Sequence, residues 1–169
     1  PLTHLYNQKA LEDHLKLEAA RAERRNEAFC LVALHINQFA DWLGANGEKA
    51  GRDLQVKIAK VALETFRETD IPSRFGEGSF LIIMPKSTAA QAADVCRRLI
   101  KTYRTSPVGD GNFSVGIAQN GPDSFKNPEQ LMTHAAALAG EAESHAVDQP
   151  GFYIRRSVES VASALPSLF

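Results

Sequence analysis

Arg67 and Asp70 stand three residues apart at the end of a helical pattern, so both side chains face one way. The arginine offers a planar fork of donors and the aspartate a pair of acceptors, chemistry suited to a phosphate or the edge of a base. The same spacing also makes an ordinary surface ion pair, worth about 0.2–0.5 kcal/mol, or lets Asp70 end the helix, so a ligand-binding and a structural reading are both open. Gly76-Glu77-Gly78-Ser79 lies between two short apolar runs, and its glycines can supply the positive φ of a tight hairpin turn. His35 closes another apolar run. Zinc there would need partner ligands, so His35 reads as a packed or hydrogen-bonded histidine. Cys30 and Cys96 lie in apolar stretches with no Cys or His at metal-ligand spacing, the pattern of buried free thiols in a reducing compartment.

The frame that must position these groups is a chain of 169 residues, one domain in size, with 44% hydrophobic residues. Its 19 Lys and Arg nearly cancel 20 Asp and Glu, for a net charge of -1. A whole-surface field that gathers nucleic acid or anionic lipid is therefore excluded, and any phosphate-bearing ligand needs a local cluster. No apolar run reaches the roughly 18 residues of a membrane span, so this segment is expected not to insert into a membrane and to be cytoplasmic.

Leu11, Leu15 and Ala19 recur at helical spacing within a helix over Asn7 to Arg25. Ala28 to Asn37 is nearly continuous in apolar residues, as a strand covered on both faces would be. A second helix is expected from about Glu48 to Thr69, with Leu54, Ile58, Val61, Ala62 and Phe66 inward. Ile71 to Phe75 and Phe80 to Met84 form the hairpin, and Ser87 or Thr88 caps a third helix through Tyr103. Asn112 to Gln119 is a strand, Pro128 to about Ala146 a helix, and Phe152 to Ile154 a last strand. The order αβαββαβαβ implies an α/β or α+β fold with a mixed, mainly antiparallel central sheet flanked by helices. Residues 1–156 read as one domain and 157–169 as a tail or linker helix.

Taken together, these segments resemble the GGDEF domain, the diguanylate cyclase module of bacterial signalling proteins. The resemblance rests on Leu2-Thr3 and Leu5-Tyr6-Asn7 at the start, His35-Ile36-Asn37-Gln38-Phe39 at a strand end, and Gly47 and Gly51 beyond it. It continues through Arg74-Phe75-Gly76-Glu77-Gly78-Ser79-Phe80, Leu81-Ile82-Ile83-Met84-Pro85 and Ser114-Val115-Gly116-Ile117-Ala118. What it implies about the site is a set of departures. His35 and Gly78 occupy the two positions where the family's carboxylates hold Mg²⁺, and Ser79 stands where a further acid helps position the nucleophile. Glu77, the one carboxylate in the turn, is a residue out of register. Leu43 and Arg52 fall at the family's guanine-binding positions, and Glu143 and Val147 near those of the cations that hold the triphosphate. These departures lead to the expectation that the domain is not an enzyme and holds no catalytic residues, no metal and no cofactor.

The resemblance also retains something. Arg67-Glu68-Thr69-Asp70 matches the family's Arg-x-x-Asp inhibitory motif, six residues ahead of Gly76, and Arg98 or its neighbour Arg97 falls where the family has a second ligand-binding arginine. This implies a cyclic di-GMP site at Arg67, Asp70 and Arg98. The expected function is a catalytically inactive regulatory domain in a larger signalling protein, acting on adjacent domains of EAL type and able to form a homodimer, without nucleic acid. The alternatives are a protein-interaction or dimerisation scaffold that binds no nucleotide, and a GTP sensor without turnover. Phe39, Trp42 and Leu43 are expected to fill the core or the cleft.

Overall fold

A computed structural model describes residues 5–157. In chain order its elements are α1 (Gln8–Arg25), β1 (Phe29–Ile36), α2 (Phe39–Asn46), α3 (Glu48–Thr65), β2 (Ile71–Arg74), β3 (Ser79–Met84), α4 (Ala89–Arg104), β4 (Phe113–Asn120), α5 (Pro128–Asp148) and β5 (Tyr153–Arg156). The five strands form one sheet in the order β2-β3-β1-β4-β5, antiparallel except for the parallel pair β4 and β5. The expected mixed, mainly antiparallel sheet between helices is the observed α+β fold. The expected tail over 157–169 lies outside the described residues from 158 onward. Among the described residues no helix is long and apolar enough to cross a membrane.

The apolar run of β1 is explained by its central place. Cys30, Val32, Leu34 and Ile36 face one layer, packed with Leu54 and Ile58 of α3 and Cys96 and Leu99 of α4. Phe29, Leu31 and Ala33 face the other, packed with Leu11 and Leu15 of α1 and Leu131 and Ala135 of α5. Covering both faces removes the alternation seen in half-exposed strands. Gly116 of β4 allows α5 to approach closely, because a Cβ there would lie 2.5 Å from the Ala135 carbonyl oxygen.

Two boundaries differ from the sequence reading. The stretch from Phe39 holds its own helix, α2, which Gly47 at φ 92° separates from α3. None of the residues of α2 is fully buried, and its inward side is the short set Phe39, Trp42 and Leu43, of which Phe39 and Trp42 pack half-buried against the core. Helix α3 ends at Thr65, not Thr69, with Phe66 already extended. The Asp70 carboxylate accepts from the Arg67 backbone N–H at 2.9 Å, and this side-chain bond stands in for continued helix. Of the two expected caps for α4, Thr88 makes the capping box with Gln91. Ser87 instead turns inward, donating to the Pro85 carbonyl at 3.0 Å.

Candidate functional site

The first candidate region is the cleft at the end of β1. The turn after β2 is closed by Phe75 N–H donating to the Ser79 carbonyl at 2.9 Å, with Gly76 and Gly78 at φ 76° and 73°. Strand register sets His35 beside Ser79 of β3 and Ser114 of β4. Its Nδ1 lies 3.4 Å from Oε1 of Glu143 on α5, while Oε2 of the same carboxylate accepts from the Gln38 backbone N–H at 2.8 Å. One carboxylate thus ties the end of β1 to α5. Next to it, buried Asn37 donates to Asn112 Oδ1 at 2.6 Å and to the Gly151 carbonyl at 2.8 Å, and accepts from Ser114 Oγ at 2.7 Å. This fully bonded amide fixes the start of the α2 loop.

Phe39 lies directly over Gly78, where a Cβ would come within 2.6 Å of its ring. The side chain of buried Gln55 accepts from Arg74 Nη2 at 2.9 Å and from the Gly78 backbone N–H at 3.1 Å, holding the turn from below. An opening of about 290 Å³ remains, lined by Phe39, Leu43, Glu48, Arg52, Gln55 and Glu77 among others. Leu43 and Arg52 therefore face this cleft. Phe39 and Leu43 do fill part of it, while Trp42 donates from Nε1 to Asp110 Oδ1 at 2.8 Å. Val147 is exposed. No grouping of three or more His, Cys, Asp or Glu suited to a metal occurs among the described residues.

The second region is the Arg67 turn. Asp70 is buried, and Arg67 donates to it from Nε at 3.2 Å and from Nη2 at 2.8 Å. Nη2 also reaches the Pro85 carbonyl and Ser87 Oγ, each at 2.9 Å. The Asp70 hydrogen bonds raise the pKa of Arg67, which stays cationic throughout. The guanidinium is half exposed, with 48% of the side chain accessible against 0% for Asp70. It borders a pocket of about 270 Å³ with Tyr6, Leu63, Phe66, Glu68 and Pro72. The structure thus brings Arg67 and Asp70 together as spaced in the sequence. Arg98 does not join them: it is exposed on α4 and is not among the groups lining that pocket, and its neighbour Arg97 lines a different groove beside β5.

Cys30 and Cys96 are free and fully buried. Burial raises both thiols, Cys96 to about 12, so neither is a nucleophile at neutral pH. Sequence reasoning missed the bonding of Glu143 to Gln38 and His35, and of Arg67 to Pro85 and Ser87. No local signal marks contacts that span 105 or about 20 residues.

This sheet, with its glycine turn and its Arg-x-x-Asp loop, belongs to a defined class. Residues 1–148 match the family "Diguanylate cyclase, GGDEF domain", and the chain is a member of it. Diguanylate cyclase DgcP of Pseudomonas aeruginosa is 30% identical over 107 residues, covering 63% of this chain and 16% of that protein. Probable diguanylate cyclase DgcC of Escherichia coli K12 is 26% identical over 142 residues, covering 81% of this chain and 38% of that protein. The chain therefore spans well under half of the length of these relatives. The GGDEF domain of DgcB from Caulobacter crescentus, solved in complex with c-di-GMP, superimposes with a TM-score of 0.78 at 23% identity, over 91% of this chain and 90% of that one.

These findings correct one expectation. The chain was expected not to be an enzyme, on the strength of His35, Gly78 and Ser79. It belongs to an enzyme family, its relatives are named as diguanylate cyclases, and nothing in the structure shows the active site to be lost. The hairpin, the glycine turn and the opening beside them are all present.

Proposed function

We propose that this GGDEF domain is a cyclic di-GMP-responsive regulatory part of a longer signalling protein, and that the ligand is met by Arg67. The observation that carries this reading is the presentation of the Arg67 guanidinium. It is anchored by Asp70, Pro85 and Ser87, yet half exposed at the mouth of a pocket of about 270 Å³. A fork fixed before the ligand arrives loses little side-chain entropy on binding. Tyr6 and Leu63, 47% and 50% exposed, give that pocket apolar walls against which a base can lie. Asp70 then acts by aiming the arginine, and Arg98 is available only to a ligand that reaches beyond the pocket. Occupancy would be passed to an adjacent domain, of EAL type in the arrangement that the family resemblance implies, or to a second copy in a homodimer.

A second reading is favoured by one observation. Both Asp70 oxygens are taken by Arg67 and the carboxylate is fully buried, as a structural clasp between the end of α3 and the start of α4 requires. On that reading the domain works through protein contacts without nucleotide. Titration calorimetry of the chain with cyclic di-GMP separates the two. Saturable heat that Arg67→Ala abolishes supports the ligand site; no heat at roughly tens of micromolar protein supports the clasp.

A further inference from the structure

A groove of about 720 Å³ runs between α4 and β5, bordered by Arg97, Ile100, Arg104, Phe152 and Ile154. Strand β5 ends the sheet, and among the described residues it pairs with β4 alone. Ser157 N–H donates inward to the Ile117 carbonyl at 2.8 Å. Backbone direction alternates along a strand, so the N–H and C=O groups of Ile154 and Arg156 point to the open edge. An edge of this kind is a template for another strand.

The surroundings restrict what that strand can be. Arg97 and Arg104 are exposed on the α4 rim, and Arg156 sits on the edge strand with its Nε buried and without a hydrogen-bond partner. The acids nearby are few: Asp94 meets Arg97 at 2.8 Å in an exposed pair of little worth, and Glu141 answers Arg155 at 4.0 Å. This is a local excess of cations on a chain whose net charge is only -1. The floor is apolar, with Phe152 packed edge-on against Tyr103 and Phe113, and the Arg104 guanidinium lies 5.8 Å above the Phe152 ring. A second copy of β5 would set arginines against arginines, so self-pairing is opposed.

We propose that the α4–β5 groove docks an acidic extended segment of a partner protein, which adds to β5 as a sixth strand and directs carboxylates to Arg97, Arg104 and Arg156. Backbone pairing supplies register, and the arginine rim selects the sign of the partner's charge.

The test uses a fluorescent octapeptide of alternating Glu and Val, titrated into the chain, with amide hydrogen exchange read at β5. The expected result is saturable binding that weakens with added salt, with slowed exchange at Ile154 and Arg156. The double variant Arg97→Glu/Arg104→Glu, changed at exposed positions, should bind it at least about tenfold more weakly and should instead take up an alternating Lys and Val peptide. Circular dichroism melting confirms that this variant is folded. The proposal is overturned by absence of peptide binding, by equal binding to the double variant, or by unprotected β5 amides. Protection by GTP or cyclic di-GMP in place of the peptide would also overturn it.

Discussion

Arg67 makes four hydrogen bonds through one guanidinium, and their arrangement decides what its removal costs. An exposed i, i+3 ion pair contributes about 0.2–0.5 kcal/mol, but Asp70 is fully buried, so removing Arg67 takes the charged partner from a carboxylate held inside the fold. Arg67→Ala is therefore expected to destabilise the fold by about 1–3 kcal/mol in urea denaturation, and a change under about 0.5 kcal/mol would show a mere surface pair. His134 gives a pH dependence. Its Nδ1 is buried without a hydrogen-bond partner, and burial lowers its pKa from 6.5, with Lys126 adding to the effect and Glu141 opposing it. Because the folded-state pKa lies below the unfolded one, the unfolded chain takes the proton first. The His134 contribution is thus complete above about pH 6.5 and declines as pH falls through that value toward the folded pKa. His134→Gln should flatten the melting temperature between about pH 7.5 and pH 5 relative to the parent; identical profiles would remove His134 as the cause. At this scale the sequence shows the spacing of Arg67 and Asp70. It does not show that the two bind each other, because that depends on Pro85 and Ser87 arriving from the far side of a hairpin.

Among the elements, those with a continuous burial demand are legible. The apolar run of β1 and the stripes of α1, α3 and α4 follow from their packing, and their boundaries fall within a few residues of the spacing. Helix α2 is not legible, since it buries no residue fully and is separated from α3 by one glycine at positive φ. The cleft is half legible. The positions of His35, Gly78, Leu43 and Arg52 can be placed from the flanking strands and glycines. The ties from Glu143 to Gln38 and from Gln55 to Gly78 cannot, because they join elements distant in sequence. Two glycines on facing elements give opposite expectations. At Gly116 of β4 an added methyl would run into the α5 backbone, whereas at Gly140 of α5 nothing lies within 4 Å. Gly116→Ala should cost about 3 kcal/mol or more, and Gly140→Ala should stabilise by up to about 1 kcal/mol, both read by thermal or urea melting. Similar effects at the two sites would contradict the packing of α5 on β4 described above.

Across the whole molecule, a nearly neutral total hides an uneven distribution. Cations gather at the α4–β5 groove, and at Arg67 one is held ready beside a pocket with apolar walls, while the β1 cleft mixes Arg52 and Arg74 with Glu48 and Glu77. The domain belongs to the GGDEF family, and the Arg67 pocket is the feature on which its proposed regulation by cyclic di-GMP depends. The direct measurement is calorimetric titration of cyclic di-GMP into the chain and into Arg67→Ala, with both proteins verified as folded at the temperature used. Saturable binding to the parent, lost in the variant, is the expected result. Absence of binding at roughly tens of micromolar protein, or equal binding to both proteins, would contradict the account.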